Sequence, residues 1–550
     1  MKYIISYLLM LLFISGVSAQ NSQDVIFKSM SDELKRSMND LKFKSFEKPY
    51  FIEYIVTDAD SLAIRGTFGG IESSMRQTYR FVNTNVRMGD YDLDMQAASI
   101  ASLPIEPNYD AYRHETWLAT DRAYKQAIDM FETLKAAKKN QAEDDEEKVT
   151  ATSFSKEPAV TAIETPKKLE LDQKLWEEKV RAWSAKFKAY PEFSNSFVAF
   201  YARVENRYLV NSEGTRLLQP KLIITFDIHA NGIASNNTAY EPYRHIFATE
   251  YNEIPGVEEI DKQIEGMHDE FTNYSNAKDF GDVYIGPALF TKGASVQLFL
   301  QLLEPNLMNP NANAMAEALY GEDGYGAAGF SDRIGRKVLP TFLSVYDDPT
   351  RSKYGEFPLA GMYKYDDEGV EAKPLTLIEN GVLRTLLSTR TPSKKIKQSN
   401  GRARGGTTDI SNFIVESKDG KSFAELKQQL MDECKAQGVP FGIILRDNNS
   451  TYGTFGATMV YRVDVKTGKE ELMRGASISD FSVRELRDIL AAGNDPYPFN
   501  LLVNSSYNGT GTPASVVAPS VLVEEIYLTK APVRKERPRL LTHPFFNKDE

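Results

Sequence analysis

A chain of 550 residues carries a single cysteine, Cys434, and that count decides how the fold must be held together. No internal disulfide can form, so stability has to come from the burial and packing of apolar side chains. The composition permits it. With 42% hydrophobic residues, and a soft prior of about 150 residues per domain, the chain can build two to four cores.

The first residues read as a secretory signal peptide. Lys2 is a short positive start, Ile4 to Ser15 an apolar stretch, and Val17-Ser18-Ala19 a run of small residues suited to cleavage before Gln20. An exported protein is therefore expected, periplasmic or extracellular. No later stretch approaches the roughly 18 uninterrupted apolar residues that span a bilayer, so no membrane span is expected after cleavage. Formal charge is −11, and loss of Lys2 takes the mature chain to −12. Such a surface repels phosphate backbones on average, and nucleic acid is not an expected partner.

Apolar spacing places the elements. Phe27, Met30, Leu34, Met38 and Leu41 recur at helical intervals, and Tyr50 to Val56 reads as a strand. A second helix carries Leu118 to Leu134. It runs into a segment rich in Glu, Asp, Lys, Thr and Ser over 139–168, expected to be an exposed, mobile insertion. Asp172 caps a helix bearing Trp176, Val180, Trp183 and Phe187, which Pro191 ends. Between Phe197 and Asn237 the period becomes two, with Ile224, Phe226 and Ile228 on one face and Thr225, Asp227 and His229 on the other. His229 is expected to face solvent or a cleft.

A helix with Ile260, Ile264, Met267 and Phe271 precedes a strand from Tyr284 to Phe290, and the domain boundary is set near Gly281. In the second half, Asn380-Gly381 between two apolar runs predicts a hairpin turn with positive φ. Ser422 with Glu425 and Ser482 with Glu485 are capping boxes. The first opens a helix whose apolar face ends in Cys434, a core thiol; the second opens a helix through Leu486, Ile489 and Leu490. Val521 to Leu528 is a last strand.

The residues of zinc chemistry are missing from this pattern. A zinc hydrolase needs imidazoles or carboxylates converging on the metal, commonly two His one helical turn apart with a Glu to handle the water proton. The five histidines are His114, His229, His245, His268 and His543, and no two stand three to five residues apart. His114-Glu115 begins like HExxH, but Leu118 and Ala119 fill the place of the second His. GxSxG is absent, Gly324 to Gly329 matches GxGxxG without a βαβ context, and Asp366-Asp367-Glu368-Gly369 lacks EF-hand spacing and reads as a turn.

The second half nevertheless resembles a known family. Ile334-Gly335-Arg336-Lys337-Val338-Leu339-Pro340, Val345-Tyr346-Asp347-Asp348-Pro349, Tyr365-Asp366-Asp367-Glu368-Gly369-Val370 and Leu377-Ile378-Glu379-Asn380-Gly381-Val382-Leu383 are similar to successive motifs of the TldD/PmbA metallopeptidases. In the first half Trp117 to Lys125, Phe154-Ser155-Lys156-Glu157-Pro158 and Asn211-Ser212-Glu213-Gly214-Thr215 look like exported members.

The resemblance implies an α+β fold of two domains: residues 20–280 as a sheet-and-helix domain, and 281–550 as a largely antiparallel β domain with helices. It also implies a dimer, in which a TldD-type zinc subunit pairs with a PmbA-type (TldE-like) subunit to degrade unfolded peptides in an enclosed cavity. The catalytic type holds zinc with HExxxH and a distant Cys. At the matching segment, Gly286 to Ser295, this chain places Phe290, Thr291 and Ser295 at the first His, the Glu and the second His. The region matching the Cys, Asn504 to Pro513, holds Ser505, Ser506 and Thr510 but no thiol. No catalytic residue, no metal ligand and no cofactor is therefore expected in this chain, zinc being expected only in a partner.

Candidates for a substrate cleft are Thr291, Ser295, Arg402 and Arg404. The two arginines lie in Asn400-Gly401-Arg402-Ala403-Arg404-Gly405-Gly406, where the family has a loop near the cavity. They either hold peptide carboxylates by bidentate bonds or stand solvated on the surface. Two functions follow from different classes: the non-catalytic subunit of a metallopeptidase, or a stand-alone peptide-binding or scaffold homodimer.

Overall fold

The computed structural model describes residues 25–141, 152–234, 239–281, 283–309, 329–393, 395–448, 458–479, 482–503 and 511–531. The signal segment 1–19, most of Gly324 to Gly329, and Ser505, Ser506 and Thr510 lie outside them. Among the described residues no helix is long and apolar enough to cross a membrane.

The fold is α+β and rich in antiparallel sheet. Helix α1 spans residues 25–40 and leads into two long strands, β1 (Phe51–Thr67) and β2 (Gly70–Gly89), joined as a hairpin. Strand β3 (Asp94–Ser102) pairs with β2, helix α2 (Tyr109–Gln141) follows, and a short strand β4 (Thr161–Ile163) leads to helix α3 (Gln173–Ala185). A second long hairpin, β5 (Phe193–Asn211) and β6 (Arg216–Ile233), lies beside β1, giving the order β3-β2-β1-β5-β6-β4. Two further strands, β7 (Ala239–Tyr240) and β8 (Tyr243–Ala248), pair with β6.

Period two separates the faces of this sheet. Ile52, Tyr54 and Val56 pack with α1 and α2, while Leu62, Ile64, Ile224, Phe226 and Ile228 pack with α3 and with α4 (Val257–Asn276). Asp172 caps α3 as expected, its carboxylate accepting from the Lys174 and Leu175 amides. Trp176 then stacks on Phe200 at 4.0 Å, a burial worth roughly 2–3 kcal/mol for a ring of this size. The opposite face carries Arg203, Glu205, Arg207, Lys221 and Thr225 and looks toward the C-terminal half. His229 lies on it, half-buried and stacked on Phe197.

The change of sheet falls between β8 and β9 (Lys278–Asp279), just ahead of Gly281; β9 already pairs with the strand Glu470–Arg474 of the second half. Strand β10 (Val283–Phe290) is central there, parallel to Phe441–Asn448 and antiparallel to Val521–Lys530. A second sheet joins Leu343–Asp347, Leu375–Glu379, Asn412–Ser417 and Thr512–Ala518. Helix α5 (Gly293–Leu302) lies in the core shared by the two sheets and is apolar nearly all round, the pattern of a fully enclosed helix. The Asn380-Gly381 turn has φ of 47° and 77°, and Cys434 is a buried thiol at the end of its capped helix.

Two expectations need correction. Within 139–168 the described part from 152 onward is anchored at two points, since Phe154 and Ser155 are each 3% exposed and β4 adds to the sheet beside β6, while its other residues to 168 are half-buried or exposed as expected. Its polar composition misled because its partners are charged groups rather than an apolar core. Half of the box at Ser482 and Glu485 forms, with Glu485 accepting from the Ser482 amide and hydroxyl while the Ser482 hydroxyl accepts from the Arg484 amide, and it opens a turn and no helix. Ile489–Ala492 is claimed by the sheet, where it pairs with Val521–Lys530, and that burial outweighs helix propensity.

Candidate functional site

The segment Phe290 to Ser295 is a strand-to-helix turn. Phe290 ends β10 in the core, Lys292 takes φ 49°, and Gly293 opens α5. Thr291 donates its amide (2.9 Å) and its hydroxyl (3.2 Å) to the same Leu445 carbonyl. Ser295, with no exposed surface, donates Oγ to the Pro519 carbonyl at 2.5 Å. Both hydroxyls are buried and occupied with backbone, so neither Thr291 nor Ser295 is presented to a cleft.

Arg402 corrects both of its sequence readings. It is fully buried, its Nε donating to Asp347 Oδ2 at 2.5 Å. Its Nη1 serves the carbonyls of Asn400 and Gly401, and its Nη2 those of Asp347 and Lys373. A guanidinium has five N–H donors, and all are used, so none remains for a peptide carboxylate. Asp347 is held in turn by the Ser411 amide and hydroxyl. Arg404 is likewise buried; it donates to the carbonyls of Gly361 and Pro513 and lies over the Tyr363 ring. These arginines brace loops, and they are not solvated.

What sequence reasoning missed is the charged seam between the N-terminal sheet and the loops of the second half. Arg207 donates to the Asp367 carbonyl at 2.6 Å, and Gln219 accepts from the Tyr365 amide. Arg390, 1% exposed, pairs with Glu213 at 2.7 Å and donates twice to the Ser155 carbonyl. Phe154 lies between two guanidinium groups, Arg87 at 3.7 Å and Arg390 at 4.0 Å from its ring centre.

The run Asp366-Asp367-Glu368 divides its labour. Asp366 accepts the amides of Glu368, Val370 and Ala403, Asp367 accepts that of Gly405, and Glu368 that of Arg390. The expected turn is there, and it fastens three elements. The signal available for this seam was the period-two row Arg203, Glu205, Arg207, alternating with the apolar Ala202 and Val204 on β5.

Burial raises several carboxyls in and near the seam. Glu53 is pushed up to about 7 by desolvation, against the pull of its bond from Asn85. Desolvation, reinforced by nearby Asp409, takes Glu304 to about 8. Asp409 itself is raised to about 6, and Asp366 is raised by burial and then by Glu368.

Residues 291–530 fit the profile of the PmbA/TldA metallopeptidase C-terminal domain. Over that stretch the chain is a member of the TldD/PmbA family. A metalloprotease of Archaeoglobus fulgidus is 30% identical over 170 residues, 30% of this chain and 37% of that one. A metalloprotease of Methanocaldococcus jannaschii is 34% identical over 141 residues, 24% and 30% of the two chains. The match thus spans little more than a third of these relatives. TldE from Thermococcus kodakarensis has a similar fold at 13% identity, with TM-score 0.58 over 91% of this chain and 100% of that one. A Bacteroides thetaiotaomicron protein titled a modulator of DNA gyrase gives 0.59 at 13% identity, over 92% and 98%.

The zinc of TldD/PmbA peptidases does not fit the matching residues here. The positions hold an aromatic ring enclosed in the core and two hydroxyls already bonded to backbone carbonyls, none a zinc ligand of the usual imidazole, thiolate or carboxylate kind. Among the described residues no group of three His, Cys, Asp or Glu side chains is arranged to hold a metal.

Proposed function

We propose that this TldD/PmbA protein is the exported, non-catalytic subunit of a two-chain metallopeptidase acting on unfolded peptides, with zinc supplied by a TldD-like partner. The observation that carries the reading is the content of the Phe290–Ser295 turn: the two His positions and the Glu position that the resemblance assigns there hold Phe290, Ser295 and Thr291, side chains without metal or proton-transfer chemistry. Kinship with curated metalloproteases supports the chemistry of the assembly, and the fold shared with TldE supports a subunit role.

The test is native co-purification from the source, with zinc analysis and a casein peptidase assay on the complex and on this chain alone. A homologous zinc-bearing chain that co-elutes, with cleavage only by the pair, is the expected result. Stoichiometric zinc and cleavage by this chain alone would refute it. Peptide binding with no second kind of chain would favour a stand-alone peptide-binding homodimer.

A further inference from the structure

The charged row on the inner face of the N-terminal sheet contains a cation that the seam does not use. In the ladder of β5 with β6, Glu205 stands opposite Lys221, with Arg203 opposite Ile223 and Arg207 opposite Gln219. Side chains of one face meet directly across such a pair and along its diagonals, so Lys221 has Glu205 as its facing neighbour and Arg203 and Arg207 about 7–8 Å away on either side. The loops of the second half close over this row at two places. Arg207 and Gln219 bond to Asp367 and Tyr365, while Arg203 Nη2 donates to the Gly511 carbonyl at 3.4 Å and Arg404 donates to that of Pro513. By register, Lys221 stands between the two.

The donors of this row are unevenly spent. Glu205 turns to Arg203, at a long 3.4 Å, and not to the lysine opposite it. Among the described residues the half-buried Lys221 has no hydrogen bond and no ion pair. Arg203 is 6% exposed, and its Nε is buried without an acceptor, while the Tyr79 and Tyr201 hydroxyls flank the same guanidinium. Arg402, by contrast, uses all five of its donors. Arg203, Arg207, Lys221 and Arg404 stand here against Glu205 and Asp367, a local excess of positive charge in a chain whose formal charge is −11. Burial holds the Lys221 ammonium below the ordinary lysine value, against the pull of Asp367 and Glu205 and with Arg404 and Arg207 adding to it. An ammonium without a partner and a buried guanidinium N–H without an acceptor are both costly, and one carboxylate relieves both.

We propose that Lys221 and Arg203 form a carboxylate-binding site between the N-terminal sheet and the loops of the second half, and that its ligand is an acidic group of a peptide, either the C-terminus or an Asp or Glu side chain. The site rests on the peptide reading of the function given above and names the class of peptide. Lys221 supplies an ammonium with three donors and no competing acceptor, and Arg203 supplies the N–H that lacks one. Charge-assisted bonds of this kind are about twice as strong as neutral ones, so the carboxylate carries the preference and the rest of the peptide does not.

The test is isothermal titration calorimetry of this chain alone with three acetylated hexapeptides of alanine and glycine. One carries an internal glutamate and an amidated end, one an internal glutamine and a free C-terminal carboxylate, and one an internal glutamine and an amidated end. At least one of the first two should bind about tenfold more tightly than the third, and the tighter of them tells side chain from terminus. Lys221→Met should abolish that preference with an unchanged or raised melting temperature, because it removes an ammonium that has no partner to lose; Lys221→Arg should keep the preference. Equal affinity for all three peptides, no binding by any of them, or a preference that survives Lys221→Met would overturn the site. Inorganic phosphate binding as tightly as the preferred peptide would also overturn it, by assigning the pocket to a small free anion. Equal binding of the three peptides strikes the carboxylate site and leaves the peptide reading standing, and the zinc partner is judged by co-purification alone.

Discussion

The turn from Phe290 to Ser295 and the seam around Arg390 and Arg402 are both buried and both finished with hydrogen bonds, yet they are built from opposite materials. The turn uses an aromatic ring and two neutral hydroxyls donating to carbonyls. The seam uses guanidinium groups that reach carboxylates and carbonyls 55 to 177 residues away in the sequence. A neutral hydroxyl costs little to bury once bonded, whereas a buried charge is tolerable only with its partner present. The Phe290–Ser295 turn is thus energetically quiet in this chain, and the surrounding architecture is where single changes will be felt.

The largest effect should therefore come from Arg402→Ala. It would leave Asp347 buried opposite a void and take the guanidinium donors from four backbone carbonyls in the loops that Arg402 braces. A loss of about 3–5 kcal/mol is expected for one half of a buried ion pair. Urea unfolding followed by circular dichroism measures it, and a loss below about 1 kcal/mol would mean that the seam is ornamental.

Much of the scaffold was readable beforehand because it rests on local rules. The Asp172 cap, the Asn380-Gly381 turn, the Ser422 box and the burial of Ile224, Phe226 and Ile228 each depend on neighbours within a few positions. The failures share a cause too. Phe154 and Ser155 sit in a polar stretch, and their burial depends on Arg87 and Arg390, which no local pattern connects to them. Ser482 and Glu485 do form their bonds, but a strand partner at Val521–Lys530 takes the residues that follow. Arg402 and Arg404 were recognised as important from their Gly-rich surroundings. Their role was mistaken, since a list of residues does not say where a guanidinium spends its donors.

The buried carboxyls should also respond to pH, where the neutral hydroxyls of the turn do not. Glu304 has a folded-state value of about 8 against an ordinary carboxyl value near 4.5, and Glu53 and Asp409 are raised in the same direction. A raised carboxyl binds its proton more tightly in the folded state. Its stabilising contribution is complete below about 4.5 and is lost as pH climbs through the folded value. Unfolding free energy should fall between about pH 4.5 and 8, by an amount on the order of 5 kcal/mol for Glu304. Glu304→Gln should flatten the upper part of that decline. A profile of melting temperature against pH that is the same for wild type and variant would remove Glu304 from the explanation.

The smallest effects belong to the turn, and they are the sharpest probe of the contrast. In Thr291→Val the Leu445 carbonyl still receives the residue 291 amide, so no acceptor is orphaned and the loss should stay below about 1 kcal/mol. Ser295→Ala leaves the Pro519 carbonyl without its Oγ donor in a closed core and should lose about 1–2 kcal/mol. Neither change should alter zinc content or casein cleavage of an assembled complex, because neither hydroxyl reaches a substrate surface. Thermal unfolding gives the first quantity, and metal analysis with a peptidase assay gives the second. A variant that folds with wild-type stability but silences the complex would make the turn functional, and the division between a quiet turn and a charged seam would fail at that point.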